Sequence, residues 1–257
     1  MKKIVGVILF LGLLISCSQE ETNGAMSSNG FTVSSNQKVT GSSANDLLSD
    51  ATFKSMVVEI VYVQGFEPTA TAVNDFVSFL TARTNKSQGI TVVKRAIASP
   101  GKTTYSVQDI TAIEDANRTK YNTANQIAVW VFFVDGASSS DSGNSFVIGT
   151  AYRNTSIVIY EKTVQSLTNS PLKPNRSLVE STVVSHEFGH ILGLTNLGTK
   201  MQVDHEDKAH PKHCIEQTCL MFWQAESGSG LMNMVSGGSA PKLDANCIAD
   251  LKANGGK

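Results

Sequence analysis

Two histidines four residues apart, with a glutamate beside the first, carry the clearest chemistry in the chain: His186-Glu187-Phe188-Gly189-His190. On a helix, residues at this spacing lie on one face about one turn apart, so both imidazoles can point at a single ion. Zn2+ takes ligand nitrogens at about 2.0–2.1 Å in a tetrahedral array, and this pair supplies two corners. Glu187 stands where a carboxylate could take a proton from an attacking water and return it to a leaving amine. A bound zinc would acidify that water and polarise a carbonyl. Residue types and spacing together predict a zinc-dependent hydrolase acting on peptide bonds. The bland reading has two histidines that only cap or solvate a helix. It is disfavoured because only five histidines occur in 257 residues, so a chance His-Glu-x-x-His is rare.

Several elements must position these residues. Residues 178–192 read as an amphipathic helix with Val179, Val183, Val184, Phe188, Ile191 and Leu192 inward. Ser177-Leu178-Val179-Glu180 fits a capping box before it, and Gly193 a stop after it. Upstream, β-branched apolar runs predict strands at 56–63, 90–97 and 126–134, with shorter ones at 146–152 and 156–160. Helical periodicity predicts helices at 68–83, with Pro68 in the first turn, and at 107–118. Beyond Gly193 only 243–251 suggests a helix. The expected fold class is α+β: a mixed twisted sheet, an active-site helix and a loop-rich C-terminal subdomain. One domain is expected over 51–257, divided into 51–193 and 194–257.

The N-terminus has a different character. Lys2 and Lys3 precede an apolar run over 4–15, long enough for a secretory signal and too short to span a bilayer. The run ends in Leu14-Ile15-Ser16-Cys17, which resembles a bacterial lipobox. That resemblance implies a signal peptide over 1–16, lipidation of Cys17, and anchoring to the cell envelope at the outer membrane or cell surface. Glu20-Glu21 is similar to the acidic export signal of some surface lipoproteins, although acidic residues in a solvated tether need no special role. Residues 18–50 are rich in Ser, Asn, Thr and Gly and are expected to form a flexible tether. A net charge of −1 with no basic block argues against nucleic acid as a partner, and a monomer is expected.

The segment His186-Glu187-Phe188-Gly189-His190-Ile191-Leu192-Gly193 resembles the active helix of metzincin peptidases. In that clan the glycine turns the chain and a third ligand follows three residues later, a position held here by Asn196. After the nineteen residues 194–212 that follow Gly193, His213-Cys214-Ile215-Glu216-Gln217-Thr218-Cys219-Leu220-Met221 is similar to the archaemetzincin pattern. The resemblance implies a zincin/metzincin-like fold, His213 as a displaced third ligand, Met221 in the turn beneath the zinc, and 194–212 as an inserted loop. Asp204, His205, His210 and Asn196 stay open as rival ligands, and some of His205, Asp207 and His210 could hold a second metal. Glu206 reads as part of a solvated excursion.

Archaemetzincins add a zinc bound by four cysteines that ends in Cys-x-x-Cys. This chain offers Cys214, Cys219 and then Cys247-Ile248-Ala249-Asp250. Two readings follow: a Cys214–Cys219 disulfide, or a structural zinc using Cys247 with Asp244 or Asp250. Segment 146–152 takes the place of the cleft's edge strand, to which a peptide could add, or is a plain sheet edge. Phe222 and Trp223 would line the side-chain pocket or belong to the core. The competing functional class is a catalytically inactive zincin-like surface lipoprotein that binds peptide or protein.

Overall fold

Runs of β-branched residues and helices with one apolar stripe alternate along the chain, and both kinds of element bury what they expose locally. The computed structural model describes residues 32–143 and 145–257; the expected signal, Cys17 and Glu20-Glu21 lie outside the described residues. A short helix α1 (Ala44–Leu48) leads into β1 (Ser55–Val63), α2 (Ala70–Arg83) and β2 (Ile90–Ile97). β3 (Thr104–Tyr105), α3 (Val107–Asn117), β4 (Gln126–Phe133) and β5 (Ala137–Ser138) follow. Next come β6 (Gly149–Arg153), β7 (Ser156–Ile159), α4 (Glu161–Thr168) and α5 (Arg176–Ile191), then α6 (Gly228–Met234) and α7 (Ala245–Ala253). Among the described residues no helix is long and apolar enough to cross a membrane.

The main sheet runs β2-β1-β4-β7-β6, parallel except for β6, which lies antiparallel to β7 at one edge. β3 and β5 form a separate two-residue pair. Side chains alternate across a strand, so β4 sends Ile127, Val129, Val131 and Phe133 to one face and Trp130 and Phe132 to the other. The first face packs on α2 and α5, and the second on Tyr105 and on Ile110 of α3. Burial on both sides explains why β4 reads as one apolar run. Phe76 of α2 meets Phe188 of α5 edge to face, with centroids 5.2 Å apart. Such a pair adds about 0.5–1.5 kcal/mol beyond the area it buries.

Four expectations need correction. Residues 32–50 are not tether but part of the domain. Asn36 is fully buried and donates to Asn122 Oδ1 at 2.8 Å and to the Ala128 carbonyl at 3.1 Å. Leu47 and Leu48 enter the core, and Lys86 Nζ donates to the carbonyls of Asp46 and Phe53. Composition misled because the small polar residues here are hydrogen-bonded inside the structure instead of solvated. The cap of α5 is Asn175, whose side chain accepts from Ser177 N at 2.9 Å. Glu180 instead accepts from Thr69 and Arg176 and ties α5 to the start of α2. Thr69 caps α2, leaving Pro68 just before the helix. Finally, β6 begins only at Gly149, because Phe146 and Ile148 pair with Gly228 and Glu226 instead.

Candidate metal centre

Helix α5 carries His186 and His190 into the interior, where they are 0 % and 5 % exposed. Leu220 O lies 2.6 Å from His186 Nδ1. A carbonyl only accepts, so Nδ1 holds the proton and Nε2 turns its lone pair inward, the arrangement typical of a ligating histidine. Met221, fully buried, lies beneath the helix. A Cβ on Gly189 would sit 2.3 Å from its sulfur, so that position must be glycine for the turn to approach. The helix stops at Gly193, whose φ of +77° favours glycine, and the Thr199 amide packs where a Cβ would stand.

His213 arrives from the far side of the 194–212 loop and joins the pair. Its ring centroid is 5.5 Å from that of His186 and 5.1 Å from that of His190. Glu226, at the end of a short 3-10 helix (Trp223–Glu226), completes the group. Its Oε1 lies 2.9 Å from His190 Nε2, 3.0 Å from His213 Nε2 and 3.5 Å from His186 Nε2. Three inward-facing imidazole nitrogens and a carboxylate oxygen are a donor set that suits zinc. His213 Nε2 is buried and makes no hydrogen bond, which marks a lone pair with no protein partner.

The electrostatics follow from this crowding. Burial, with His186 and His213 nearby, lowers the His190 pKa to about 4 against the opposing pull of Glu226. His190 is thus a neutral donor at physiological pH. Burial also disfavours the His213 cation, but Glu226 outweighs it and raises that pKa. For Glu226, burial favours the neutral acid, yet contacts with the three histidines hold its carboxyl far below the usual range. Glu187 is raised well above it, by burial first and the Glu226 charge second, while the Ala151 amide opposes. Glu187 Oε1 is buried without a hydrogen-bond partner.

The rival ligands go elsewhere. Asn196 is exposed and donates to Glu206 at 3.3 Å, and Asp204 pairs with Lys208 in solvent. Glu206 accepts from the Lys212 amide. His210 pairs with Asp207 at 2.7 Å and stacks on Trp223, centroids 4.1 Å apart. Trp223 and Phe222 are half-buried, and neither belongs to the main core. Sequence reasoning missed Glu226. Its one signal is a place five residues past Met221, which carries no periodicity or motif.

His205 joins the cysteines. The expected Cys214–Cys219 disulfide is not formed: Cys214, Cys219 and Cys247 are buried free thiols. Cys219 Sγ and Cys247 Sγ are 3.7 Å apart, well beyond a disulfide bond. His205 turns Nδ1 to Cys214 Sγ at 3.3 Å and Nε2 to buried Asp250 at 2.8 Å. Hydrogen bonds from Cys214 and Cys247 lower the Cys219 thiol to about 4. Asp244 accepts from Cys214 Sγ at 2.9 Å and caps α7. His205, Cys214, Asp244 and Cys247 bring ligand atoms within 4.8 Å of one another, a second candidate metal group.

A cleft of about 250 Å³ opens onto the histidine group, lined by Glu187, His190, His213 and Glu226, by Gly149, Thr150 and Ala151 of β6, and by Thr40. A larger cavity of about 650 Å³ lies elsewhere, between Thr71, Pro171 and Met232; its ionisable lining residues are Asp75 and Lys173, and it holds none of the histidines.

No family model matches the chain, and no curated protein does. Solved structures do. The archaemetzincin of Methanopyrus kandleri aligns with 17% identity over 78% of this chain and 96% of its own, at a TM-score of 0.52. The chain therefore has the archaemetzincin fold. A zinc-dependent peptidase from Methanocorpusculum labreanum aligns with 11% identity over 76% of this chain and 99% of its own, at 0.47. Metalloproteinase-II of Bacteroides fragilis aligns with 10% identity over 80% of this chain and 54% of its own, at 0.43.

Proposed function

We propose that the chain is a zinc metallopeptidase, an endopeptidase held at the bacterial cell envelope through a lipidated Cys17. The observation that carries the catalytic reading is the convergence of His186, His190 and His213, on an archaemetzincin fold, beside a buried carboxylate with a free oxygen. Zinc, when bound by the histidines, would acidify an attacking water and polarise the scissile carbonyl. Glu187 Oε1 would accept the water's proton and hand it to the departing amine. Burial raises the Glu187 pKa, which makes its carboxylate a stronger base towards that proton. The peptide would lie along β6, the edge strand whose Gly149, Thr150 and Ala151 line the cleft. Cys214, Asp244 and Cys247, with His205 as a fourth ligand and Asp250 orienting it, would hold a second, structural metal.

A second reading, a zincin scaffold that binds peptide without cleaving it, is favoured by one feature. Glu226 would give the site four protein ligands, whereas catalysis needs an open position. The test is metal content together with casein hydrolysis in the wild type and in His213→Ala. One chelator-sensitive equivalent of metal and proteolysis should be lost together in the variant. Retention of both would remove His213 from the centre. Envelope anchoring is tested separately: incorporation of labelled palmitate should vanish in Cys17→Ala, and undiminished labelling refutes it.

A further inference from the structure

The positions of the four ligand atoms say more than that a metal would fit. Ligands about 2.0–2.1 Å from a tetrahedral ion lie about 3.3 Å from one another. The separations involving Glu226 Oε1 are 2.9, 3.0 and 3.5 Å, and His186 Nε2 lies 3.2 Å from His190 Nε2. Glu226 thus stands at a vertex of the tetrahedron instead of capping it from a second layer. Glu226 Oε1 meets His190 Nε2 within hydrogen-bond reach at 2.9 Å, while His213 Nε2, 3.0 Å away, is left without a well-aligned hydrogen-bond partner.

On the reading that the three histidines hold a metal, we infer that Glu226 is a fourth ligand that masks the site at rest and must swing out before substrate can enter. Glu226 is the ligand best placed to leave. Its side chain is 38 % exposed, against 0 %, 6 % and 10 % for His186, His190 and His213. Each histidine ring is anchored on its helix or by a second nitrogen; His186 reaches Leu220 O and His213 reaches Pro211 O. The ion pairs of the Glu226 carboxylate are with the three histidines alone among the described residues. The Glu226 backbone stays tied to the edge of the cleft, where its carbonyl accepts from the Ile148 amide at 3.3 Å. The side chain can therefore rotate away while the cleft wall remains in place. With a metal held by the three histidines, rotation of Glu226 would give up one metal–carboxylate bond, and the freed position would be open to a water or a substrate carbonyl oxygen.

The test uses the full chain loaded with Co2+ at the histidine site. X-ray absorption and water-proton relaxation are recorded on the wild type, Glu226→Gln and Glu226→Ala, with acetohydroxamate as the probe ligand. The wild type should show four protein ligands and no inner-sphere water. Both variants should gain an exchangeable water, bind Co2+ at least about tenfold more weakly, and bind acetohydroxamate at least about tenfold more tightly, in line with a lost metal contact. An inner-sphere water in the wild type, with the same acetohydroxamate affinity in all three proteins, overturns the inference while leaving the three-histidine site intact. Failure of the wild type to bind Co2+ at this site overturns both readings.

Discussion

Gly189→Ala tests whether Met221 supports the histidine helix. An added Cβ would lie 2.3 Å from Met221 Sδ and 3.1 Å from its Cε. Contact distances of about 3.5–4.0 Å are normal, so the sulfur must retreat by more than about 1 Å. In an unencumbered helix the same change stabilises by about 1 kcal/mol, while overpacking a core costs about 1–3 kcal/mol. The expected net effect is a loss of up to ~2 kcal/mol. The same displacement moves Leu220, whose carbonyl orients His186, so metal affinity should fall about 10–100-fold. Met221→Ala leaves a cavity and should cost about 2–5 kcal/mol alone. It also removes the clash, so the double variant should be less destabilised than the sum by about 1–3 kcal/mol. Urea unfolding of the four metal-free proteins gives this coupling, and chelator competition gives the affinities. Additivity within about 0.5 kcal/mol, or a Gly189→Ala protein that is more stable with unchanged metal affinity, refutes the packing argument.

Further predictions concern the rest of the domain. Asn36→Ala should destabilise by about 1–3 kcal/mol in urea, since it strands buried acceptors at Asn122 and Ala128; no loss would return 32–50 to the status of a tether. Burial, and then the charge of Glu180, push the carboxyl of Glu161 up to about 9, with Arg176 bridging the two. Between about 4.5 and 9 the folded protein keeps a proton that the unfolded chain releases, so stability should fall as pH rises, by up to about 1.4 kcal/mol per unit. Glu161→Gln should flatten that slope in urea midpoints followed from about pH 5.5 to 8.5, and an unchanged slope would place the titration elsewhere. Thiol counting after denaturation with a chelator and no reductant should find Cys214, Cys219 and Cys247 all free; one thiol among them would restore the disulfide. His205→Ala should remove the second equivalent of metal and leave the histidine-bound one; loss of the latter would exchange the roles of His205 and His213.

The elements behind the site were legible where local pattern and burial agree. β1 and β4 are apolar runs because both faces of the sheet are covered there, β2 alternates half-buried and exposed residues at the sheet edge, and the stripe of α5 faces the same core. The histidine pair was legible because helical spacing alone places it. His213 needed more, since its 19-residue loop hides the distance, and only its neighbours Cys214, Cys219 and Met221 marked it. His205 could not be assigned from composition: the choice between two metal groups is made by Asp250, on a helix 45 residues later. Glu226 was illegible because a lone glutamate after a turn resembles any surface carboxylate until the fold turns it inward. Residues 32–50 failed for the opposite reason: a composition that usually stays solvated here supplies side chains such as Asn36 and Leu48 that close the domain.

The most direct measurement is metal content and casein cleavage in Glu187→Ala. Glu187 is fully buried beside the histidines but belongs to neither candidate metal group. A zinc peptidase built as proposed keeps its metal in this variant and loses about 10²–10⁴-fold in rate, the usual share of a general base. Hydrolysis at the wild-type rate with metal still bound would contradict it.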